Sequence, residues 1–332
     1  EDQRDLIISA LGRKWELTFT TLVMFGGAIF AAFPLFYATS FGGAYYVWMA
    51  ILFCFIIQAV AYEYRKKPNN FFGVKTYEFF LFINGSLGII LIGIALGTLF
   101  TGGNFIVNEM NLSHWTKASY GLEGALNWFN LAFGFMLFFL ARLLGGLYLI
   151  NTIDNAEIIK KVHNVLKYET GIFLVLFLYV IGNIITMQGY TYDPVTLVTS
   201  IGSMKYLENF LALPVVSGVF ITGVVLLLLG LGIGIFSSSD KGIWSAGIGT
   251  VFVVASLFLI LGYNNTAYYP SLSDIQSSLT IQNSSSSHYT LEAMSYVSLL
   301  VPFVLGYIVM AWRVMNREKI TVDEVKNDPH HY

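Results

Sequence analysis

The sequence predicts an all-α polytopic membrane protein: a bundle of about eight transmembrane helices, with both termini in the cytoplasm. Three observations carry this. Of 332 residues 56% are hydrophobic and only 11% charged, whereas a soluble domain is about one-quarter charged. The apolar residues form long continuous runs without the alternation of a membrane barrel. With those runs as successive spans, the basic residues fall almost entirely on one side of the membrane. Such a composition excludes an ordinary soluble enzyme, a disordered chain and a nucleic-acid binder.

A bilayer core about 30 Å thick needs about 20 apolar residues per helix, and in hydrocarbon each run satisfies its own backbone as a helix. No formal charge occurs from Leu17 to Tyr62, and the turn-like Thr39-Ser40-Phe41-Gly42-Gly43 divides that stretch into spans 17–38 and 44–63. Further spans are predicted at 78–100, 123–150, 168–188, 208–236, 242–263 and 292–314. Pro34, Pro214 and Pro302 lie inside predicted spans and should kink them. Gly93 with Gly97, and Gly230 with Gly234, have the spacing that lets membrane helices approach closely.

With a cytoplasmic N-terminus, one side receives Arg4, Arg13, Lys14, Arg65, Lys66, Lys67, Lys75, Lys160, Lys161, Lys167, Lys241, Arg313, Arg317, Lys319 and Lys326. The other receives only Lys117 and Lys205. The expected organisation is one integral membrane domain over 1–332, with a cytoplasmic segment 1–14 and a cytoplasmic tail 316–332. Outer loops are expected at 101–122, 189–207 and 264–290. No removable signal peptide is read at the N-terminus. Because the first residue is Glu rather than Met, the chain reads as a fragment or as lacking a first segment.

Function should show as ionisable groups at depth, which cost at least about 2.5–3.5 kcal/mol each at mid-bilayer. They are sparse. His114, His163, His288, His330 and His331 are all placed in loops or the tail, so no haem iron is expected to be bound through histidine. Cys54 reads as a buried inert thiol, and Met24, Met49, Met136 and Met310 as core filler. Arg142 is the deepest cation, read as a snorkelling side chain or as a paired structural or lipid-contacting charge. Glu16 and Glu63 sit at the cytoplasmic ends of two antiparallel neighbours, with Gln58 more than a turn deeper than Glu63. They read either as interfacial solvated groups or as a mouth for protons.

Several segments, in matching order and spacing, resemble subunit II of the bacterial cytochrome bd-type quinol oxidases. Trp15-Glu16, then Gly26-Gly27-Ala28-Ile29-Phe30-Ala31-Ala32-Phe33-Pro34, resembles the family's Trp-acid followed by "GGALFAAFP". Tyr37-Ala38, Phe41-Gly42-Gly43, Tyr45 and Glu63-Tyr64-Arg65 follow. Tyr269-Pro270-Ser271, Leu279-Thr280-Ile281, Thr290-Leu291 and Met294 resemble the last outer loop and final helix.

The resemblance implies a bacterial inner-membrane subunit of an enzyme that oxidises quinol and reduces oxygen to water with cytoplasmic protons. It implies haems b and d in a partner subunit I, a bound quinone or lipid, and room for a small extra subunit. It implies a proton-entry acid at Trp15-Glu16, and with Glu63 and Gln58, placed at the same mouth, these make up the candidate proton path. Glu16 matches a position often held by Asp, and many members carry Arg at position 58. The family has nine helices, the first bearing an acidic Gly-rich motif upstream of Trp15-Glu16, and that helix has no counterpart here. The readings from other classes are a stand-alone permease or channel and a purely structural scaffold.

Overall fold

Helix boundaries follow caps, prolines and charge. The computed structural model describes residues 2–237 and 239–327. The expected histidines His330 and His331 and the end of the expected tail lie outside the described residues. Helix α1 (Asp2–Gly12) turns at Arg13-Lys14 into α2 (Trp15–Ala32). Phe33 leaves helical geometry (φ −133°, ψ 66°), as a residue before proline must. Pro34 then opens the short α3 (Pro34–Tyr37), and a π-helical turn, Ala38–Gly42, leads into α4 (Tyr45–Tyr64). The predicted break at 39–43 is therefore a wound turn.

Helices α5 (Val74–Ile83) and α6 (Ile89–Thr101) form one rod joined by a second π-helical turn, Asn84–Gly88. Helix α7 (Trp128–Thr152) starts at Asn127, whose side chain accepts from the amides of Phe129 and Asn130. Asn155 caps α8 (Ala156–Thr186) in the same way through Ile158.

Helix α8 is longer than the predicted 168–188, because the charged stretch 156–167 continues the helix beyond the apolar run. His163 is accordingly a helical residue within a rod that qualifies as a membrane span, not a loop residue. Similarly, the predicted span 208–236 is two helices, α9 (Lys205–Ala212) and α10 (Pro214–Phe236), divided before Pro214. Helices α11 (Gly242–Gly262), α12 (Ile281–Ser284), α13 (His288–Ser298), α14 (Val301–Met315) and α15 (Val322–Asn327) complete the chain. Pro34, Pro214 and Pro302 each sit in the first turn of a new segment, where the missing N–H costs nothing. Among the described residues, eight helical rods are long and apolar enough to cross a membrane.

Glycines set the closest approaches. A Cβ at Gly93 would lie 2.5 Å from the Gly134 Cα, and one at Gly230 would lie 2.4 Å from the Ala246 amide nitrogen. These contacts press α6 on α7 and α10 on α11. Leu140, Leu143, Leu147, Phe173, Leu227 and Leu231 are buried between them.

One end of the bundle carries β-ribbons. Strand β1 (Phe105–Val107) pairs antiparallel with β2 (Ser113–Trp115), and β3 (Gly189–Tyr192) with β4 (Thr199–Gly202). The 266–279 segment bridges to both, through Gly103 with Ser271 and Thr191 with Thr266. At the opposite end both ends of the described chain meet. Leu6 and Ala10 of α1, Ile153, Ile158, Ile320 and Val325 form a second small core. Ile320 donates to the Thr152 carbonyl at 2.9 Å, and Asp154 donates to the Ile320 carbonyl at 3.1 Å. The segments expected as a cytoplasmic leader and tail are thus folded against the bundle, α1 as a helix.

Candidate functional site

The site is built on α2 and α4, which run antiparallel. Trp15 stacks on Tyr62 with ring centroids 6.0 Å apart at 14°, and Phe19, one turn further, meets Phe55 edge-on at 5.5 Å. Side chains four apart share a helix face, so Tyr62, Gln58 and Cys54 line one stripe of α4. Gln58 hydrogen-bonds the Tyr62 phenol, while Tyr62 and Cys54 are buried. The structure therefore brings Trp15, Tyr62 and Gln58 into contact. Tyr62 was not singled out from the sequence, although its i,i+4 relation to Gln58 was the available signal.

The two carboxylates are arranged differently. Glu16 is exposed on α2, and its backbone carbonyl accepts the Thr20 hydroxyl at 2.8 Å. Glu63 is exposed and forms an i,i+4 ion pair with Lys67. Hydrogen bonding to Glu63, then its negative charge, holds the Lys67 ammonium above its ordinary pKa. Among the described residues no hydrogen bond joins Glu16 to Glu63.

Beside this stripe lie two cationic nodes. The Lys14 ammonium is buried, donates to Asn316 Oδ1 at 2.5 Å, and sits over the rings of Tyr148 (4.6 Å) and Trp312 (4.8 Å). Arg65 is fully buried and bonds Asp5 at 2.7 Å and Glu78 at 3.4 Å. Arg4 reaches Glu78 at 2.6 Å and Lys66 reaches Asp5 at 2.7 Å. Sequence reasoning saw Arg65 only within a motif. Its partners lie on two other helices, a pairing that no local pattern announces.

Among the described residues no three His, Cys, Asp or Glu side chains gather to hold an ion. His163 Nδ1 lies 2.6 Å from the Gly234 carbonyl oxygen, and His288 opens α13 with its side chain 97% exposed. His114 lies on β2.

The family model for cytochrome bd terminal oxidase subunit II matches residues 1–315. This chain belongs to the cytochrome bd subunit II family. It is 26% identical to the cytochrome bd-I ubiquinol oxidase subunit 2 of Escherichia coli strain K12, over 99% of this chain and 88% of that protein. It is likewise 26% identical to the cytochrome bd ubiquinol oxidase subunit 2 of Bacillus subtilis strain 168, over 97% and 88%. A probable cytochrome oxidase subunit 2 of Haemophilus influenzae is 31% identical over 37% of the chain and 32% of its own length. As a cytochrome bd subunit II the chain is a multi-pass inner-membrane component of a quinol oxidase, which implies a complex with subunit I.

Proposed function

We propose that this chain is a haem-free subunit that packs against the haem-bearing subunit I and helps deliver cytoplasmic protons for reduction of oxygen to water. The observation that carries this reading is the bareness of one face. Helix α2, which begins with Trp15-Glu16, has no buried residue, and neither do α13 and α14 beside it. Every other candidate span has part of its apolar stretch buried within the chain. Spans with no buried residue of their own are suited to complete an interface with another subunit, and that interface would cover Glu16.

A carboxylate enclosed there, next to the Trp15–Tyr62–Gln58 contact, provides a titratable group at the mouth and hydrogen-bonding groups further in. Glu63, held by Lys67, lies one residue beyond Tyr62 at the same mouth. The Lys-rich end of the bundle is the cytoplasmic end in this reading, so protons enter from the side where both chain ends meet. In this reading haems b and d belong to subunit I. A quinone or lipid and a small extra subunit are compatible partners.

Gentle purification tests the assignment. A haem-bearing polypeptide should co-purify with this chain, and the reduced-minus-oxidised spectrum should stay with that partner when the two are separated. Isolation of the chain alone as a stable homo-oligomer that moves solute in liposomes would favour a permease and contradict the reading.

A further inference from the structure

Asn84 lies in the π-helical turn that joins α5 to α6, well inside the 28-residue rod Val74–Thr101 that qualifies as a membrane span. It is only 7% exposed, and among the described residues its amide nitrogen Nδ2 has no hydrogen-bond partner. An unpaired amide at such depth is unfavourable, because hydrocarbon cannot solvate it. Asn is also a weak helix former. An apolar residue would avoid both penalties. A π-helical turn within an α-helical rod is itself a frequent companion of functional sites.

The packing of α4 against this rod sets what Asn84 faces. At the Lys-rich end, Arg65 of α4 meets Glu78 of α5 at 3.4 Å. Further in, an ideal Cβ at Gly88 would lie 3.2 Å from the Cys54 Cβ and 3.5 Å from Asn84 Nδ2. The Asn84 amide is therefore turned toward the contact with α4. Between these two crossings the helices run antiparallel. Gln58 stands one turn from Cys54, and Asn84 one turn from Gly88, both in the direction of the Arg65–Glu78 pair. Gln58 and Asn84 are thus level with each other on facing helices.

Gln58 already hydrogen-bonds the Tyr62 phenol, and Tyr62 stacks on Trp15. The Trp15 indole N–H is likewise buried and without a partner among the described residues. Orphaned donors therefore stand on both sides of the Tyr62–Gln58 pair. A primary amide offers two donors and a carbonyl acceptor, so Gln58 keeps hydrogen-bonding capacity beyond its contact with Tyr62. Two convergent amides meet the need of a buried water for at least two polar partners.

We propose that Asn84 is the inner positioning residue of the proton route: with Gln58 it holds an ordered water, Nδ2 donating to the water oxygen. This rests on the proton-delivery reading above. The amides do not carry the proton. The water oxygen accepts one proton from the Tyr62 side and releases another inward, so its composition is unchanged after each transfer.

The test uses the intact oxidase complex, with haem content and subunit ratio equal to wild type. Asn84→Leu exchanges the amide for an apolar side chain of similar shape, so the melting temperature should hold or rise. Its quinol-driven oxygen consumption should nevertheless fall about fivefold or more. Its solvent deuterium isotope effect should exceed that of wild type, because proton supply becomes the slow step. Asn84→Ser, which keeps a hydrogen-bonding group, should recover most of the rate. Where Asn84→Leu does not assemble, Asn84→Ala takes its place against Asn84→Ser. A wild-type rate and isotope effect in the apolar variant would overturn the inference. So would a slower rate accompanied by a lower melting temperature and an unchanged isotope effect, which marks a structural role. Glu16→Gln in the same preparations separates the two claims. If it is slow while the apolar Asn84 variant is normal, Asn84 alone leaves the route; if both are normal, the proton-delivery reading fails as well.

Discussion

Arg65 shows most clearly how a single residue can hold this end of the molecule. Its side chain is 1% exposed and joins α4 to Asp5 of α1 and Glu78 of α5. Removing one member of a buried pair costs up to about 3–5 kcal/mol, less here because Lys66 still meets Asp5 and Arg4 still meets Glu78. Arg65→Leu should therefore lower the melting temperature of the detergent-solubilised protein markedly. Arg65→Lys should recover only part of it, since an ammonium lacks the planar fork that serves two carboxylates. A melting temperature within a degree of wild type for Arg65→Leu would remove Arg65 from the account. Lys14 is the complementary case: an ammonium held by an amide oxygen and two aromatic faces, an arrangement in which a desolvated cation gains about 2 kcal/mol or more per favourable face.

At the scale of elements, backbone approach decides stability. A Cβ at Gly230 would strike the Ala246 backbone nitrogen and come within 2.6 Å of the Gly242 carbonyl oxygen. Backbone cannot step aside as a side chain can, so Gly230→Val should force α10 from α11. Overpacking typically costs about 1–3 kcal/mol, read as reduced yield and lower melting temperature. Gly232→Val, where open space surrounds the Cβ, is the control and should be near neutral.

The ribbon end has its own lock. Burial raises the pKa of Glu123, but hydrogen bonds from Ser119, its own amide, Asn104 and the Gly121 amide outweigh it, leaving the carboxyl below its ordinary value. A carboxyl depressed in the folded state stabilises above its unfolded pKa, and that stabilisation is lost as pH falls through the folded value. Glu123→Gln should therefore destabilise at pH 7, with the gap to wild type closing toward pH 3. A gap that persists unchanged at pH 3 would contradict the charge-based explanation.

The spans were legible in the sequence because hydropathy and basic-residue placement both report on the bilayer. What escaped was whatever extends a helix into water or divides it within hydrocarbon. Helix α8 begins a dozen residues early because Asn155 caps it and Glu157 pairs with Lys161. Those signals carry no hydropathy. Pro214 was visible, but its role is to start α10 after a separate α9, which a charge-free window merges. For the candidate site, Trp15, Gln58 and their helices were readable. Arg142 was read as a possible paired charge, and it pairs with Glu169; the Arg65 node was not readable, because it depends on residues brought together from distant parts of the chain.

For the whole molecule, the proposed interface is the face of α2, α13 and α14, which have no buried residue. If subunit I covers it, a photo-crosslinking residue at Phe303, which is 76% exposed, should capture the haem-bearing partner. The same residue at Val251 on α11, also exposed, should not. Capture at both positions or neither would remove the assigned interface.

The most direct test of the account is the oxygen consumption of a complex carrying Glu16→Gln, with haem content and subunit ratio first shown to equal wild type. Loss of a proton-handling carboxylate should lower the quinol-driven rate by about tenfold or more, while Glu16→Asp should retain most of it. An unchanged rate in the intact, haem-loaded Glu16→Gln complex would contradict the proton-delivery role and leave this chain a scaffold.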